Sequence, residues 1–198
     1  KQALEKLGSS LLVYHGDPIE FFKYINPRSV YANHDYEPYA RQRDNEVQRI
    51  LAKKEIAFKT YKDQVIFERD EILKSDDSPY TVYTPYSRKW KHTLSPTHIE
   101  NFNTEWLFSH FKKITPLAFP TLSELGFKAS GIVFSERTIK RLVIEQYHLQ
   151  RDFPAIDGTS RLSVHLRFGT VSIRMLVQIA MDINEKWLGE IGGWAAMK

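Results

Sequence analysis

Ser29-Val30-Tyr31-Ala32-Asn33, a stretch opened by Pro38 and running to about Lys54, and Ile56-Ala57-Phe58-Lys59-Thr60-Tyr61 together decide the fold. The outer two runs are short, rich in β-branched and aromatic residues, and read as strands. The middle run places Val47, Ile50 and Leu51 on one face of a helix, and Pro38 suits its first turn. A strand, a helix and a strand separated by short breaks imply parallel pairing with a right-handed crossover. Working outward, Ser9-Ser10-Leu11-Leu12-Val13-Tyr14-His15 reads as a buried parallel strand closed by Gly16-Asp17-Pro18. Leu4 and Leu7 end a helix that stops at Gly8, and Ile19, Phe21, Phe22 and Ile25 recur at helical spacing after Pro18. At least three parallel strands in one sheet are expected, over 10–15, 29–33 and 56–61.

Beyond Trp90 the chain loses its periodicity. Pro96, Pro116, Pro120, Gly126 and Gly131 interrupt it, as in a linker. Trp106, Phe108 and Phe111 are expected to tack this linker down by core packing. From Ser135 the pattern is helical, with Ser135 as the cap and Ile139, Leu142, Val143, Gln146 and Tyr147 on one face. Ser172 is expected to cap a further helix carrying Met175, Leu176, Ile179 and Ile183.

Between these helices lies Gly158-Thr159-Ser160-Arg161-Leu162-Ser163-Val164-His165-Leu166-Arg167-Phe168-Gly169. Hydroxyls, free backbone N–H groups and arginines at a helix start are what a phosphate or pyrophosphate requires. Asp157-Gly158 makes a turn, and Thr159 or Ser160 can cap the helix that follows. The alternative is an ordinary Ser/Thr cap with two incidental arginines. Tyr147 and Arg151, four residues apart on a helix, point to one side.

Of the 198 residues, 42% are hydrophobic and 26% charged, which suits one or two ordinary domains. Charge is balanced through Arg88, so the whole net charge of +4 falls after it, consistent with a phosphate-bearing partner. There is no cysteine, which excludes disulfides, thiolate metal sites and a cysteine nucleophile. The seven histidines show no paired ligand spacing, so no metal site is expected. The carboxylates at Asp70, Glu71, Asp76 and Asp77 sit in a charged loop and read as solvated. No apolar run approaches the roughly 20 residues that span a bilayer. The start, Lys1-Gln2-Ala3-Leu4-Glu5, has no signal-peptide pattern, so a cytoplasmic, intracellular location without membrane association is expected.

Tyr147 to Arg174 carries a Tyr, then Arg151-Asp152, then Thr159-Ser160-Arg161-Leu162-Ser163, then Leu166-Arg167-Phe168-Gly169-Thr170-Val171-Ser172-Ile173-Arg174. This run resembles the flavin-phosphate segment of the DNA photolyase and cryptochrome family, with Val164 where many members have proline and His165 where many have tyrosine. Asn33-His34-Asp35-Tyr36-Glu37-Pro38 with Arg41-Gln42-Arg43-Asp44, and Tyr83-Thr84-Pro85-Tyr86-Ser87-Arg88-Lys89-Trp90, resemble further segments of that family. The resemblance runs from about Lys6 to about Trp187. It implies a partial α/β, Rossmann-like photolyase domain over 1–88, an interdomain linker over 89–134 and the beginning of a helical FAD-binding domain over 135–198.

The resemblance also implies function. FAD would be held by Tyr147, Thr159, Ser160, Arg161, Leu162 and Ser163, with Leu162 giving a backbone N–H and packing. Arg151 would contact DNA. The parent protein would be a DNA photolyase, a carbon–carbon lyase in which light-excited reduced FAD passes an electron to a pyrimidine dimer. No catalytic residue falls in this stretch. The alternatives are a cryptochrome photoreceptor without repair and a nucleotide-binding α/β module without photochemistry. Part of the family holds a second, antenna chromophore near Asn33 and Glu37. Its folate-binding subset has an Asn-Glu pair where this chain has Tyr39-Ala40, so helix capping is the role expected of these two residues. Family members are about twice this length, and Leu188 to Lys198 departs from their Trp-Arg-Glu-Phe-like continuation. The chain is therefore expected to be a middle fragment, inactive alone, weak in FAD binding and self-associating through exposed edges.

Overall fold

The structure, a computed structural model, describes residues 1–183. The expectations for Trp187 and for Leu188 to Lys198 lie outside the described residues. The chain packs as two units. One joins Lys1–Tyr61 to Phe102–Ile132, and the other joins Lys62–Asn101 to the described residues from Val133 on.

In the first unit, α1 (Gln2–Lys6) ends at Gly8, whose φ of +70° is the left-handed turn that stops the helix. Helix α2 (Pro18–Tyr24) has Asp17 as its cap, with Oδ1 accepting from Ile19 N at 2.8 Å and Pro18 in the first turn. Strand β1 (Ser29–Asn33), helix α3 (Pro38–Lys53) and strand β2 (Ala57–Tyr61) form the expected crossover. The strands pair in parallel, with Ser29 opposite Ala57 and Asn33 opposite Tyr61. Ala40, Val47 and Leu51 are the buried residues of α3.

The expected third strand does not form. Ser9–His15 joins no ladder, and the sheet has two strands among the described residues. Leu11, Leu12, Val13 and Tyr14 are all exposed. An apolar run becomes a strand only where a neighbour offers it N–H and C=O groups. This stretch instead meets residues 113–117: Ile114 N donates to Gly8 O, Leu117 N to Ser10 Oγ and Lys113 Nζ to Leu7 O. Glu37 stands at the N-cap of α3 but makes no side-chain capping bond. Trp106, expected in the core, is 69% exposed, its Nε1 donating to Asn103 O only three residues away.

The second unit contains α4 (Tyr83–Thr93), α5 (Arg141–Gln150), α6 (Ser163–Arg167) and α7 (Ile173–Ile183). Its main core cluster joins Ile66, Phe67, Ile72, Trp90 and Ile99 to Ile173 and Val177. Two polar ties reinforce it. Arg174 Nη1 donates to Asp63 O at 2.6 Å, and Gln178 Nε2 donates to Ile99 O at 2.7 Å. Arg174 and Gln178 are one turn apart on α7, so that helix holds both ends of 62–101. Packing thus crosses the boundaries at 88 and 134 that the sequence suggests.

Helix α5 begins at Arg141 rather than near Ser135, and Ile144 is its buried residue, while Leu142 is exposed. Ser135 does not cap it, because its hydroxyl donates to Arg161 O at 2.6 Å. On α7, Ser172 Oγ accepts from Met175 N at 3.4 Å. Leu176 is buried there as expected, whereas Met175 is 37% exposed.

Candidate functional site

A cavity of about 820 Å³ opens within the second unit. Its volume lies in the range of small-molecule and cofactor sites. Thr159, Ser160, Arg161, Leu162 and Ser163 all line it, and Tyr147 of α5 lines it too. Arg151 does not. Its guanidinium lies over the Tyr147 ring, 5.9 Å from the centroid, with Asp152 Oδ1 3.8 Å from its Nε.

The turn owes its shape to three features. Gly158 is buried against the end of α5, where an added Cβ would come within 2.6 Å of Gln150 Cβ. Leu162, 1% exposed, anchors the turn in an apolar cluster with Val171 and Leu176. Between them Arg161 takes a φ of +51°, a left-handed conformation that L residues with side chains resist. Leu162 follows at φ −88°, ψ 3°. A left-handed residue followed by a right-handed one aims successive N–H groups to one side, as in an anion nest.

Neither Thr159 nor Ser160 caps α6. The N-cap is Leu162, and no side chain bonds there. Ser160 and Thr159 lie two and three positions before that N-cap, outside the capping place. Among the described residues, the backbone N–H groups of Thr159 through Ser163 have no protein acceptor. The hydroxyls of Thr159, Ser160, Ser163 and Tyr147 likewise have no protein partner there.

Three arginines line the cavity, Arg161, Arg167 and Arg174, against one carboxylate, Asp63. Arg174 is mostly buried and committed to Asp63, while the exposed Arg161 pairs with Asp157, Nε to Oδ1 at 2.9 Å. Tyr86 and Trp90 of α4 and the segment Asp63-Gln64-Val65-Ile66-Phe67 complete the wall. Burial pushes the Tyr86 phenol above its ordinary range, with nearby Tyr83 adding to the shift. Burial also raises Tyr83; Arg151 opposes this and Tyr147 reinforces it. Both phenols therefore keep their protons at neutral pH and can donate.

Sequence reasoning found the turn and Tyr147 but missed Asp63–Phe67, Tyr86 and Trp90 as cavity wall. No spacing signal links residues about a hundred positions apart. Among the described residues there is no cluster of three potential metal ligands, and no helix is long and apolar enough to cross a membrane.

The family model for DNA photolyase matches residues 1–104. The chain belongs to the DNA photolyase family. It is 34% identical to a deoxyribodipyrimidine photo-lyase of Synechococcus sp. over 194 residues, which is 88% of this chain and 40% of that protein. It is 36% identical to the deoxyribodipyrimidine photo-lyase of Alkalihalophilus pseudofirmus over 159 residues, 75% of this chain and 33% of that one. The fold resembles that of a bacterial class III photolyase from Agrobacterium tumefaciens, with a TM-score of 0.66 and 19% identity over 95% of this chain and 44% of that one. The chain thus spans at most about 40% of the length of these curated photolyase relatives. The expected fold class, an incomplete α/β parallel-sheet domain followed by helices, agrees with this family fold.

Proposed function

We propose that this chain supplies the FAD-phosphate grip of a light-driven photolyase that repairs pyrimidine dimers in DNA. One observation carries the reading. Thr159 to Ser163 and Tyr147 line one cavity, and the backbone N–H groups of the turn and the hydroxyls of Thr159, Ser160, Ser163 and Tyr147 have no protein partner among the described residues. Unpaired donors beside cationic side chains fit a diphosphate, since each phosphate oxygen accepts two or more hydrogen bonds. Leu162 fixes the turn from beneath. When bound, FAD supplies the electron chemistry of a photolyase, and the residues here bind and orient it. Arg151, outside the cavity and partly solvated, would contact the DNA backbone in this reading. Work on DNA would keep the protein inside the cell.

The grip by itself is weak. A few charge-assisted hydrogen bonds, each worth about 1.5–3 kcal/mol, are set against several kcal/mol for immobilising a large cofactor. Fluorescence titration with FAD and with riboflavin, which lacks both phosphates, tests the reading. The chain is expected to bind FAD in the micromolar range or weaker, yet more tightly than riboflavin. Replacing Thr159, Ser160 and Ser163 together by alanine is expected to abolish that preference. Equal binding of the two flavins by the unaltered chain overturns the phosphate reading. For repair, the measurement is loss of cyclobutane dimers from irradiated DNA under blue light by the full-length protein. Dimer levels unchanged by light would exclude it.

A further inference from the structure

We infer that Ser135 and His165 form a positioning latch that holds the Arg161 turn in its phosphate-ready shape. The inference rests on the phosphate reading of that turn and assigns a role to two residues outside the hydroxyl set.

The latch is a short chain of hydrogen bonds. Ser135 Oγ donates to the carbonyl of Arg161 at 2.6 Å. His165 Nε2 lies 2.8 Å from the carbonyl of Ser135, and its Nδ1 lies 2.9 Å from Thr170 Oγ1. A carbonyl can only accept, so His165 carries a proton on Nε2 and donates it to Ser135. Thr170 fixes the ring from the other side, and Thr170 N also donates to His165 O. The imidazole is therefore held at both nitrogens, and Ser135 is held at its backbone while its side chain reaches the turn.

Arg161 needs such a hold. Its φ of +51° is disfavoured for any residue with a Cβ, and it persists only where the surroundings impose it. Its own side chain gives little help, because the Asp157 partner is 66% exposed. The bond from Ser135 fixes the Arg161 carbonyl, and fixing that peptide plane aims the following N–H, that of Leu162, into the turn. Released, Arg161 would relax toward negative φ and the N–H groups of the nest would diverge. Ser135 and His165 are thus positioning residues that act through Arg161.

The test is a double-mutant cycle on the full chain, with FAD and riboflavin as probes and thermal unfolding as control. Ser135→Ala is expected to weaken FAD about fivefold, the worth of one hydrogen bond, and to leave riboflavin unchanged. Ser135→Thr keeps a hydroxyl and is expected to restore FAD binding. Arg161→Gly removes the Cβ penalty, so Ser135→Ala made in that background is expected to change FAD affinity less than twofold. His165→Phe is expected to mimic Ser135→Ala. Nitrogen-15 spectra should show His165 protonated at Nε2. An unaltered chain that prefers FAD, with Ser135→Ala leaving that preference intact, overturns the latch alone. Effects of Ser135→Ala and Arg161→Gly that multiply independently also overturn it. An unaltered chain without any preference for FAD overturns the phosphate reading and the latch together. If Ser135→Ala lowers the melting temperature too far for titration, the His165 tautomer and the His165→Phe variant decide.

Discussion

The two units of this chain use their apolar residues differently. The cavity unit buries Trp90, Phe67, Ile99, Ile173, Val177 and their neighbours in three apolar clusters. The sheet unit buries Ala40, Val47 and Leu51 under one helix and leaves Leu12, Tyr31 and Tyr61 more than half exposed. Among the described residues the two-stranded sheet packs against α3, and its exposed aromatic residues stack on each other. Tyr31 and Tyr61 lie parallel at 6.3 Å, with Lys59 over the Tyr31 ring. Positioning a ligand demands rigid support for each contacting group. The candidate grip accordingly stands on the unit with the larger core.

The largest expected effect breaks that core. Trp90 is 3% exposed, meets Phe67 edge-on at 5.1 Å and also lines the cavity. Trp90→Ala is expected to lower stability by about 3–5 kcal/mol, read as a shift in the urea midpoint. FAD preference over riboflavin should vanish with it. A variant that keeps its midpoint would show that the cluster is not what supports the site.

Leu51→Ala is the matching test in the sheet unit. Leu51 is fully buried, and loss of a buried leucine costs about 2–5 kcal/mol, less where neighbours can collapse into the gap. The half-covered surroundings here place the effect at the low end. Hydrogen exchange should accelerate in β1 and β2 and leave α7 slow. Equal acceleration in α7 would mean that the two units unfold as one, and the contrast between them would fail.

The same contrast explains what could be read in advance. Helix α3 was legible almost to the residue because Pro38 suits its first turn and Val47, Ile50 and Leu51 share one face up to the following strand. Strands β1 and β2 were legible because each is short, rich in β-branched and aromatic residues and separated from the other by one helix. Ser9–His15 was not, because pairing depends on a neighbour that the run itself does not specify. Ser135 looked like a cap because hydroxyls cap helices, yet its partner is a carbonyl 26 residues later. The turn at Thr159–Ser163 stood out by its hydroxyls and arginine, and it lines the cavity. The opposite wall was not legible, since Arg174 reaches Asp63 across 111 positions, and no local pattern encodes such a contact.

A smaller effect sharpens the picture of the sheet unit. With little core, it also relies on polar fastening. The three protons of Lys54 Nζ are shared among four acceptors at 2.5–3.1 Å, the carbonyls of Phe22, Lys23 and Ile25 and Asn26 Oδ1. A cation thereby closes the carboxyl end of α2, where the last carbonyls and the helix dipole favour positive charge. Lys54→Met keeps most of the aliphatic stem and removes the charge. Its expected cost is about 1–2 kcal/mol, seen as faster exchange in Pro18–Tyr24 with the cavity unit unaffected. No change would mean that apolar contacts alone hold α2 to α3.

The smallest effect on stability falls in the cavity unit and bears on how Arg161 contributes. Its guanidinium is paired with Asp157, and both side chains are 66% exposed. Exposed pairs of this kind contribute about 0–1 kcal/mol, so Asp157→Asn should leave the urea midpoint nearly unchanged. It removes a negative charge beside the turn, however, and frees the guanidinium to face a phosphate. FAD should then bind a few-fold more tightly at low salt while riboflavin stays the same. At about 1 M salt, where the Debye length falls to about 3 Å, the gain should disappear. A gain that persists at high salt would point to a change in the turn's shape rather than its charge. Weaker FAD binding would show that Asp157 supports the left-handed backbone at Arg161, leaving backbone geometry rather than side-chain charge as that residue's contribution.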